Sequence, residues 1–215
     1  MKSPDRSKIP SLNEEEFLEA QGYQLIAGTD EAGRGSLAGP VVAAAVILPR
    51  HTTAQWLKQV KDSKLLSLQM REFLFPHIHK AAISTGVGVV SHEMIDSQGI
   101  VKATKLAMKQ AIEQLSPSPE CLLIDYLSLS DVSLPQKSIT GGDRISLSIA
   151  CASIIAKVSR DRLMVEMDKT YPGYGLAQHK GYGTEAHFSC LRRMGPSPIH
   201  RKSFQPVRGI MQRDL

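Results

Sequence analysis

The sequence predicts one α/β domain built on a mixed β-sheet, and three observations lead there. Its 215 residues are 42% apolar and 22% charged, enough for one sizeable core and short of two. Short apolar runs come first as an adjacent pair and later alternate with amphipathic stretches, as in a sheet flanked by helices. Residues 171–215 are crowded with glycine and proline, from Pro172 to Pro206, which predicts loops around one helix, Thr184 to Met194.

The elements follow in order. Ser11 and Glu14 have the spacing of a capping box and predict a short helix from Leu12 to Ala20, ended by Gly22. Tyr23 to Thr29 reads as a strand. The glycine-rich Gly33 to Pro40 joins it, as a hairpin, to the buried strand Val41 to Leu48, which Pro49 closes. Helical stretches from Thr53 to Val60 and from Leu66 to Ala82 come next, the second carrying Pro76, a residue able to bend it. Ser84 to Val90 is a third strand. Beyond Gly99, the apolar residues Val101, Leu106, Met108, Ala111, Ile112 and Leu115 mark the best amphipathic helix, which Pro117 and Pro119 stop. Cys121 to Ile124 and Lys137 to Thr140 are short strands, and Gly141-Gly142 leads into a long helical run, Ser146 to Met167. With no repeat or linker, residues 1–215 are expected to form one domain, with 1–22 an N-terminal extension and 171–215 a basic C-terminal region.

Composition narrows the function classes. The longest apolar run, Val41 to Leu48, falls far short of the roughly 18 to 20 residues that span a bilayer, so no membrane role is expected. Met1 to Ile9 carries Lys2, Asp5, Arg6 and Lys8 with no apolar stretch behind it, which predicts a cytoplasmic protein rather than a secreted one. Cys121, Cys151 and Cys190 contain no C-x-x-C pair and read as core residues, not as a disulfide framework or zinc site. The net charge of +5 resides wholly in residues 171–215, where Lys180, Arg192, Arg193, Arg201, Lys202, Arg208 and Arg213 face only Glu185 and Asp214. Such a region suits either a surface for a polyanion or a solvated tail.

Three acidic positions carry the chemistry. Asp30 and Glu31 stand where a strand runs into a glycine loop, and read either as a divalent-cation site or as an acidic turn. Adjacent strand residues point to opposite faces, so both serve one site only if the chain bends there. Asp125 ends the apolar Leu122-Leu123-Ile124 and is costly if buried without a counter-charge; alternatively it turns into solvent. Asp143, after Gly141-Gly142, is either a helix cap or a third contributor. Taken together, all lie at element ends that can meet on one edge of a sheet, and four converging carboxylates without Cys or His favour Mg²⁺ or Mn²⁺.

The motifs from Ala27 to Gly35, Leu37 to Val42, Asp62-Ser63-Lys64, Leu123-Ile124-Asp125, Ser148 through Arg162, His179 to Thr184 and Gly195 to Arg201 resemble those of the bacterial type 2 ribonucleases H, the ribonuclease HII family, over about Tyr23 to Phe204. The resemblance implies a ribonuclease H-like fold, with a central mixed sheet flanked by helices and a helical, loop-rich C-terminal region beside the substrate groove. It implies cleavage of the RNA strand of RNA–DNA hybrids and incision of duplex DNA on the 5′ side of an embedded ribonucleotide, leaving a 3′-hydroxyl and a 5′-phosphate. The family's cation-binding acids match Asp30, Glu31, Asp125 and Asp143, which would hold two Mn²⁺ or Mg²⁺ ions, Asp30 bridging them and Asp143 on the nucleophile side. Its readers of the 2′-hydroxyl match Gly33, Arg34, Gly35 and Tyr182.

Lys64, Lys180, His200 and Arg201 are candidates for phosphate contacts, and each reads equally as a surface charge, the reading favoured for His200. Lys157, Arg160 and Arg162, with Asp161 interleaved, have the spacing of a solvated helix face. His51, His77, His79, His92 and His187 show no ligand spacing and read as surface or core residues. Two positions depart from the family pattern: Tyr126, where glycine is more usual, and Cys151, in place of alanine. The type 3 relatives need an extra N-terminal substrate-binding domain that residues 1–22 are too short to supply, and they tend to carry lysine where Arg34 stands. A nucleic-acid-binding protein without catalysis and a phosphomonoesterase are the rivals from other classes. A monomer is expected by resemblance.

Overall fold

The computed structural model describes residues 9–212. Five strands, β1 (Ile26–Ala32), β2 (Val41–Ile47), β3 (Ser84–Val90), β4 (Cys121–Asp125) and β5 (Gln136–Ile139), form one sheet in the order β3-β2-β1-β4-β5. The pairs β1–β2 and β2–β3 are antiparallel, while β1–β4 and β4–β5 are parallel. The mixed character follows from the connections. The Gly33–Pro40 loop is short enough only to return the chain beside β1, whereas β4 is reached through a helical crossover. Every residue of β2 is buried, as expected of a strand covered on both faces.

Alternation along the strands sorts their side chains between two helical layers. Ala27, Ala43, Ala45, Ile47, Leu122 and Ile124 pack against α4 (Ile100–Glu113). On the opposite face Ala44 and Val46 meet α2 (Leu68–Ala81) and α5 (Leu147–Thr170), and Leu123 meets Ile149 of α5. Gly28 belongs to this second face, and a Cβ there would sit 2.3 Å from the Ser148 backbone, so α5 lies directly on β1. A separate small core of Leu37, Ala38, Met164, Tyr174, Leu191 and Ile199 binds the C-terminal helices α6 (Leu176–His179), α7 (Glu185–Met194) and α8 (Gln205–Met211) to the end of α5.

Several elements differ from expectation. β1 starts at Ile26 and continues to Ala32, so the acidic pair lies inside the strand. The stretch expected as a helix over Thr53–Val60 is a 3-10 turn, Gln55–Gln59. α1 (Asn13–Glu19) has Leu12 at its cap, while Ser11 pairs through its backbone with Ser146 instead of closing a capping box. α2 runs through Pro76 for 14 residues. α3 (His92–Gln98), α6 and α8 were not expected; each is short, and the first ends at Gly99 with φ +81° before α4. No described helix is long and apolar enough to cross a membrane. The charges read at Lys2, Asp5, Arg6, Lys8, Arg213 and Asp214 lie outside the described residues.

Both departures from the family pattern have a structural explanation. Cys151 is fully buried in the core beneath α5. Tyr126 has φ +61° and is 64% exposed, so it turns outward in a backbone conformation that favours glycine. Tyr126→Gly is therefore expected to relieve strain and raise stability by up to about 1 kcal/mol, read as a higher Tm. A lower Tm would show that the tyrosine packs more favourably than its backbone costs.

Candidate active site

The site begins with strand register. Gly28 is opposite Leu123 and Thr29 opposite Ile124 on the parallel pair β1–β4, so the next positions, Asp30 and Asp125, stand side by side at about 4.8 Å, the spacing of neighbouring strands. Both share the face occupied by α5, because Gly28 and Leu123 do. β5 pairs Ile139 with Asp125 and then passes into the 3-10 turn Gly142–Arg144, where the Gly142 N–H donates to Asp125 Oδ1 at 2.7 Å. This bond brings Asp143 beside the pair. Asp143 does not cap α5; Ser146 does, its hydroxyl accepting from the Ile149 N–H at 3.2 Å.

Asp30 and Asp143 are 3% and 2% exposed. The Glu31 N–H donates to Asp30 Oδ1 at 2.7 Å. Glu31 Oε1 accepts from Arg34 Nη1 at 3.2 Å, whereas its buried Oε2 has no partner. Burial, then the charges of Glu31, Asp125 and Asp143, hold the Asp30 carboxyl well above the usual range. Asp143 is pushed up to about 6 by burial and by Asp62 and Asp125, against the pull of Lys64 and Arg144. Burial raises Glu31 too, despite Arg34. Lys64 Nζ lies 4.0 Å from Asp143 Oδ2 with its side chain 74% exposed. Partial burial works against its charge, but Asp30, Asp62, Asp143 and Asp125 outweigh that and raise it.

Asp62 was not singled out, although it stands in the same short motif as Lys64. Its Oδ1 accepts from the Lys64 N–H at 3.0 Å and its Oδ2 is 3.4 Å from Arg144 Nε, so it braces both neighbours of Asp143. Among the described residues no three acidic, histidine or cysteine side chains converge on a single point as they stand. Asp30 and Asp125 have each turned one oxygen to a backbone N–H, the arrangement of repelling carboxylates that have taken the nearest donors.

Beside the acids runs the Gly33–Pro40 loop, and two buried arginines fix it. Arg160 of α5 donates from Nε to the Pro40 carbonyl (2.9 Å), from Nη2 to Ala38 (3.0 Å) and from Nη1 to Lys180 (2.9 Å). Arg201 donates from Nε to Gly39 (3.0 Å), from Nη1 to Arg34 (2.9 Å) and from Nη2 to Pro40 (3.1 Å). Both are fully buried, which corrects two expectations: Arg201 is not a phosphate contact, and Arg160 is not on a solvated face. A guanidinium offers five N–H groups in a fixed fork, so three carbonyls pair with each arginine without a carboxylate, all from the 33–40 loop for Arg201 and two from that loop plus Lys180 for Arg160. A Cβ on Gly33, at φ +93°, would come within 1.9 Å of Arg160 Nε, so only glycine fits there. Gly35 faces open space, and among the described residues the Arg34 and Gly35 amides have no acceptor in the chain.

Comparison with known proteins accords with this geometry. The family model for ribonuclease HII matches residues 27–207. The chain belongs to the ribonuclease HII family. It is 57% identical over 202 residues to a ribonuclease HII of Dehalococcoides mccartyi, covering 94% of this chain and 95% of the relative, and 52% identical to that of Geobacter metallireducens, covering 90% of each. The crystal structure of ribonuclease H2 from Pyrococcus horikoshii superposes with a TM-score of 0.72 at 25% identity, covering 88% of this chain and 98% of that one. The fold is the ribonuclease H-like α/β fold, and the activity is that of ribonuclease HII, an endonuclease acting on RNA–DNA hybrids and embedded ribonucleotides.

In this member of the ribonuclease HII family, Tyr182 is half-buried beside the glycine loop. The Arg160 guanidinium lies 5.5 Å and Lys157 Nζ 5.3 Å from its ring centre, and Leu37 N–H donates to the Gly181 carbonyl at 2.8 Å. Lys180, expected at a phosphate, turns its ammonium onto the Ala177 carbonyl, at the edge of a cavity of about 310 Å³ lined also by Arg71, Lys157, Asp161 and Tyr182. Arg71 was missed. Its Nη1 reaches the Ser63 and Leu66 carbonyls, and Asp161 is shared by Arg71 (3.7 Å) and Lys157 (2.7 Å), so this part of α5 is ion-paired rather than freely solvated. Arg162, by contrast, is exposed as expected.

His200 is not a phosphate contact either. It is buried, accepts the Ser197 N–H on Nδ1 at 2.9 Å and therefore carries its proton on Nε2, which donates to His187 Nε2 at 3.0 Å. His187 in turn donates from Nδ1 to the Tyr182 carbonyl at 3.0 Å. Burial and the neighbouring His187 push His200 down to about 4.

Two stability measurements test these assignments with opposite signs. Asp30 has a folded pKa above its unfolded one, so its ionised form destabilises the metal-free protein at neutral pH. Asp30→Asn in chelator should melt above wild type at pH 7, with the gap closing as the pH falls through the raised pKa; equal Tm values at pH 7 would dismiss the repulsion. His200 has a folded pKa near 4, below the unfolded value of about 6.5, so the unfolded chain binds the extra proton between them. Wild type should exceed His200→Gln in Tm above about pH 6.5 and lose that advantage towards pH 4; a constant difference would show that His200 does not titrate in this window.

Proposed function

We propose that this ribonuclease HII uses two divalent cations, held by Asp30, Glu31, Asp125 and Asp143, to cut on the 5′ side of a ribonucleotide and leave a 3′-hydroxyl and a 5′-phosphate. The observation that carries the reading is the register that sets Asp30 beside Asp125, with the Asp143 turn hydrogen-bonded to Asp125. The residues fit cations: the donors are all hard carboxylate oxygens, buried Glu31 Oε2 has no partner, and Asp30 and Asp143 are raised by burial and by neighbouring carboxylates, both of which positive charge would offset. Mg²⁺ or Mn²⁺ held there would supply activation of water, clamping of the phosphoryl oxygens and stabilisation of the leaving 3′-oxygen.

The chain's own residues do the rest. Asp30, next to Asp125 and the Asp143 turn, would be shared by the two cations, and Asp143 would serve the nucleophile side. Lys64 keeps its charge beside Asp143 and extends into solvent, where it meets a backbone phosphate. The Arg34 and Gly35 amides are donors for the ribose 2′-hydroxyl, and the pinned loop holds them still for it. Tyr182, fixed by the histidine pair and Arg160, forms the wall against the sugar. The chain acts as a monomer on duplex nucleic acid in this reading, and that substrate supports a cytoplasmic location.

Cleavage positions on a duplex with one ribonucleotide and on a longer hybrid, in Mg²⁺ and in Mn²⁺, test the reading. Asp30→Asn and Asp143→Asn should reduce incision to background at every metal concentration, and Tyr182→Ala should slow incision at a single ribonucleotide more than Tyr182→Phe. Full turnover by Asp30→Asn, or unchanged rates for Tyr182→Ala, would remove those roles.

A further inference from the structure

A buried carboxylate outside the catalytic cluster is still unexplained. Glu15 of α1 is 5% exposed and reaches the start of α5, where its Oε1 accepts from Ser148 N–H at 2.9 Å, Ser148 Oγ at 2.6 Å and Ser146 Oγ at 2.6 Å. Its Oε2 is buried without a partner. The N-terminus of a 24-residue helix carries partial positive charge and unpaired N–H groups. Ser146 satisfies the Ile149 N–H, and Glu15 satisfies the Ser148 N–H from a different segment. One carboxylate thus completes the cap of α5 across the chain.

The turn it grips is the one that carries Asp143. Ser11 brackets the same turn, its N–H donating to the Ile145 carbonyl at 3.0 Å and its carbonyl accepting the Leu147 N–H at 2.9 Å. Within the turn, Ser146 N–H returns to the Gly142 carbonyl at 2.8 Å, and Gly142 N–H binds Asp125. Glu14, one residue before, pairs with Lys137 of β5, the strand that delivers the turn, at 2.5 Å. Residues 11–15 therefore hold both sides of the Asp143 segment, although they precede the residues the family model matches.

We propose that Glu15 is a positioning residue for the reaction: by closing the N-terminus of α5 it fixes the Gly142–Ser148 turn and holds Asp143 against Asp30 and Asp125 for cation binding. The proposal rests on Asp143 being a cation ligand. Glu15 touches neither substrate nor reacting atoms, so its loss acts on the metal and leaves substrate binding alone.

The test combines amide hydrogen exchange in chelator, direct Mn²⁺ titration by electron paramagnetic resonance, and kinetics, for Glu15→Ala, Glu15→Gln and Ser148→Ala. Glu15→Ala should speed exchange across residues 142–149 and weaken Mn²⁺ binding by about tenfold, as loss of a ligand's support typically does. Its kcat should recover at high Mn²⁺ with KM unchanged. Glu15→Gln keeps an acceptor for the Ser148 N–H and should stay close to wild type, and Ser148→Ala should fall between. Should Glu15→Ala not fold, the other two variants carry the comparison. Wild-type Mn²⁺ affinity and exchange in a folded Glu15→Ala, or in Ser148→Ala where alanine at 15 does not fold, would overturn the proposal, as would a rise in KM alone. Absence of Mn²⁺ binding by wild type would instead overturn the carboxylate reading, and the exchange data would still decide the mechanical role of Glu15.

Discussion

The structure depends on keeping like charges together in a place where water cannot screen them. Asp30 and Asp143 are buried with Asp125 nearby, and burial first, then the charges of neighbouring carboxylates, raises their proton affinity. Left to themselves, such groups would separate or take up protons. Separation is prevented because Asp30 and Asp125 are spaced by the hydrogen bonds of the sheet and Asp143 by a turn tied to Asp125. The backbone that carries these carboxylates is held this way before cations arrive, and what binding has to change is the direction of the side-chain oxygens that Asp30 and Asp125 now turn to backbone N–H groups.

Rigidity is arranged differently on the substrate side. Substrate-reading loops need exposed backbone, yet an exposed glycine loop samples many conformations. Here the amides of Arg34 and Gly35 have no acceptor among the described residues, while carbonyls of the same loop are held inside by Arg160 and Arg201. Desolvating two guanidiniums is expensive, and burial lowers both from their ordinary range. Three carbonyl partners for each offset that cost, and the result is a loop whose inner atoms are fixed and whose outer N–H groups are free.

Much of this was legible in the sequence, and the failures share a cause. The strands and major helices follow from apolar periodicity; the four acids stand out as expected element ends, although Asp30 and Glu31 lie inside β1. β1 was placed three residues early because Tyr23 and Leu25 have the composition of a strand while the acids do not. Arg160 and Arg201 were misread because a basic residue in a polar run defaults to the surface. Nothing local reports that three carbonyls from other segments await it. Asp62 was quoted for its motif without being recognised as a brace, and Glu15 was passed over inside an acidic run, Glu14-Glu15-Glu16, of which only Glu15 is buried. Long-range polar partnerships leave no periodic trace, so sequence reading finds candidate ligands more readily than the residues that hold them.

Those holding residues divide the site into two mechanically separate halves. Arg160, Arg201 and the His187–His200 pair fix the sugar-reading loop and Tyr182 to the C-terminal core, whereas Glu15 and Ser11 fix the Asp143 turn to the N-terminal segment. The halves meet at β1, which supplies Asp30 and Glu31 from inside the strand and Gly33 one residue beyond it. A disturbance on one side has to pass through β1, paired with β2 over Ala27–Ala32 and with β4 over Ile26–Thr29, to reach the other. The loop and the acidic turn are therefore anchored by separate contacts, and under the proposed reading recognition of the ribonucleotide and capture of the cations can vary independently.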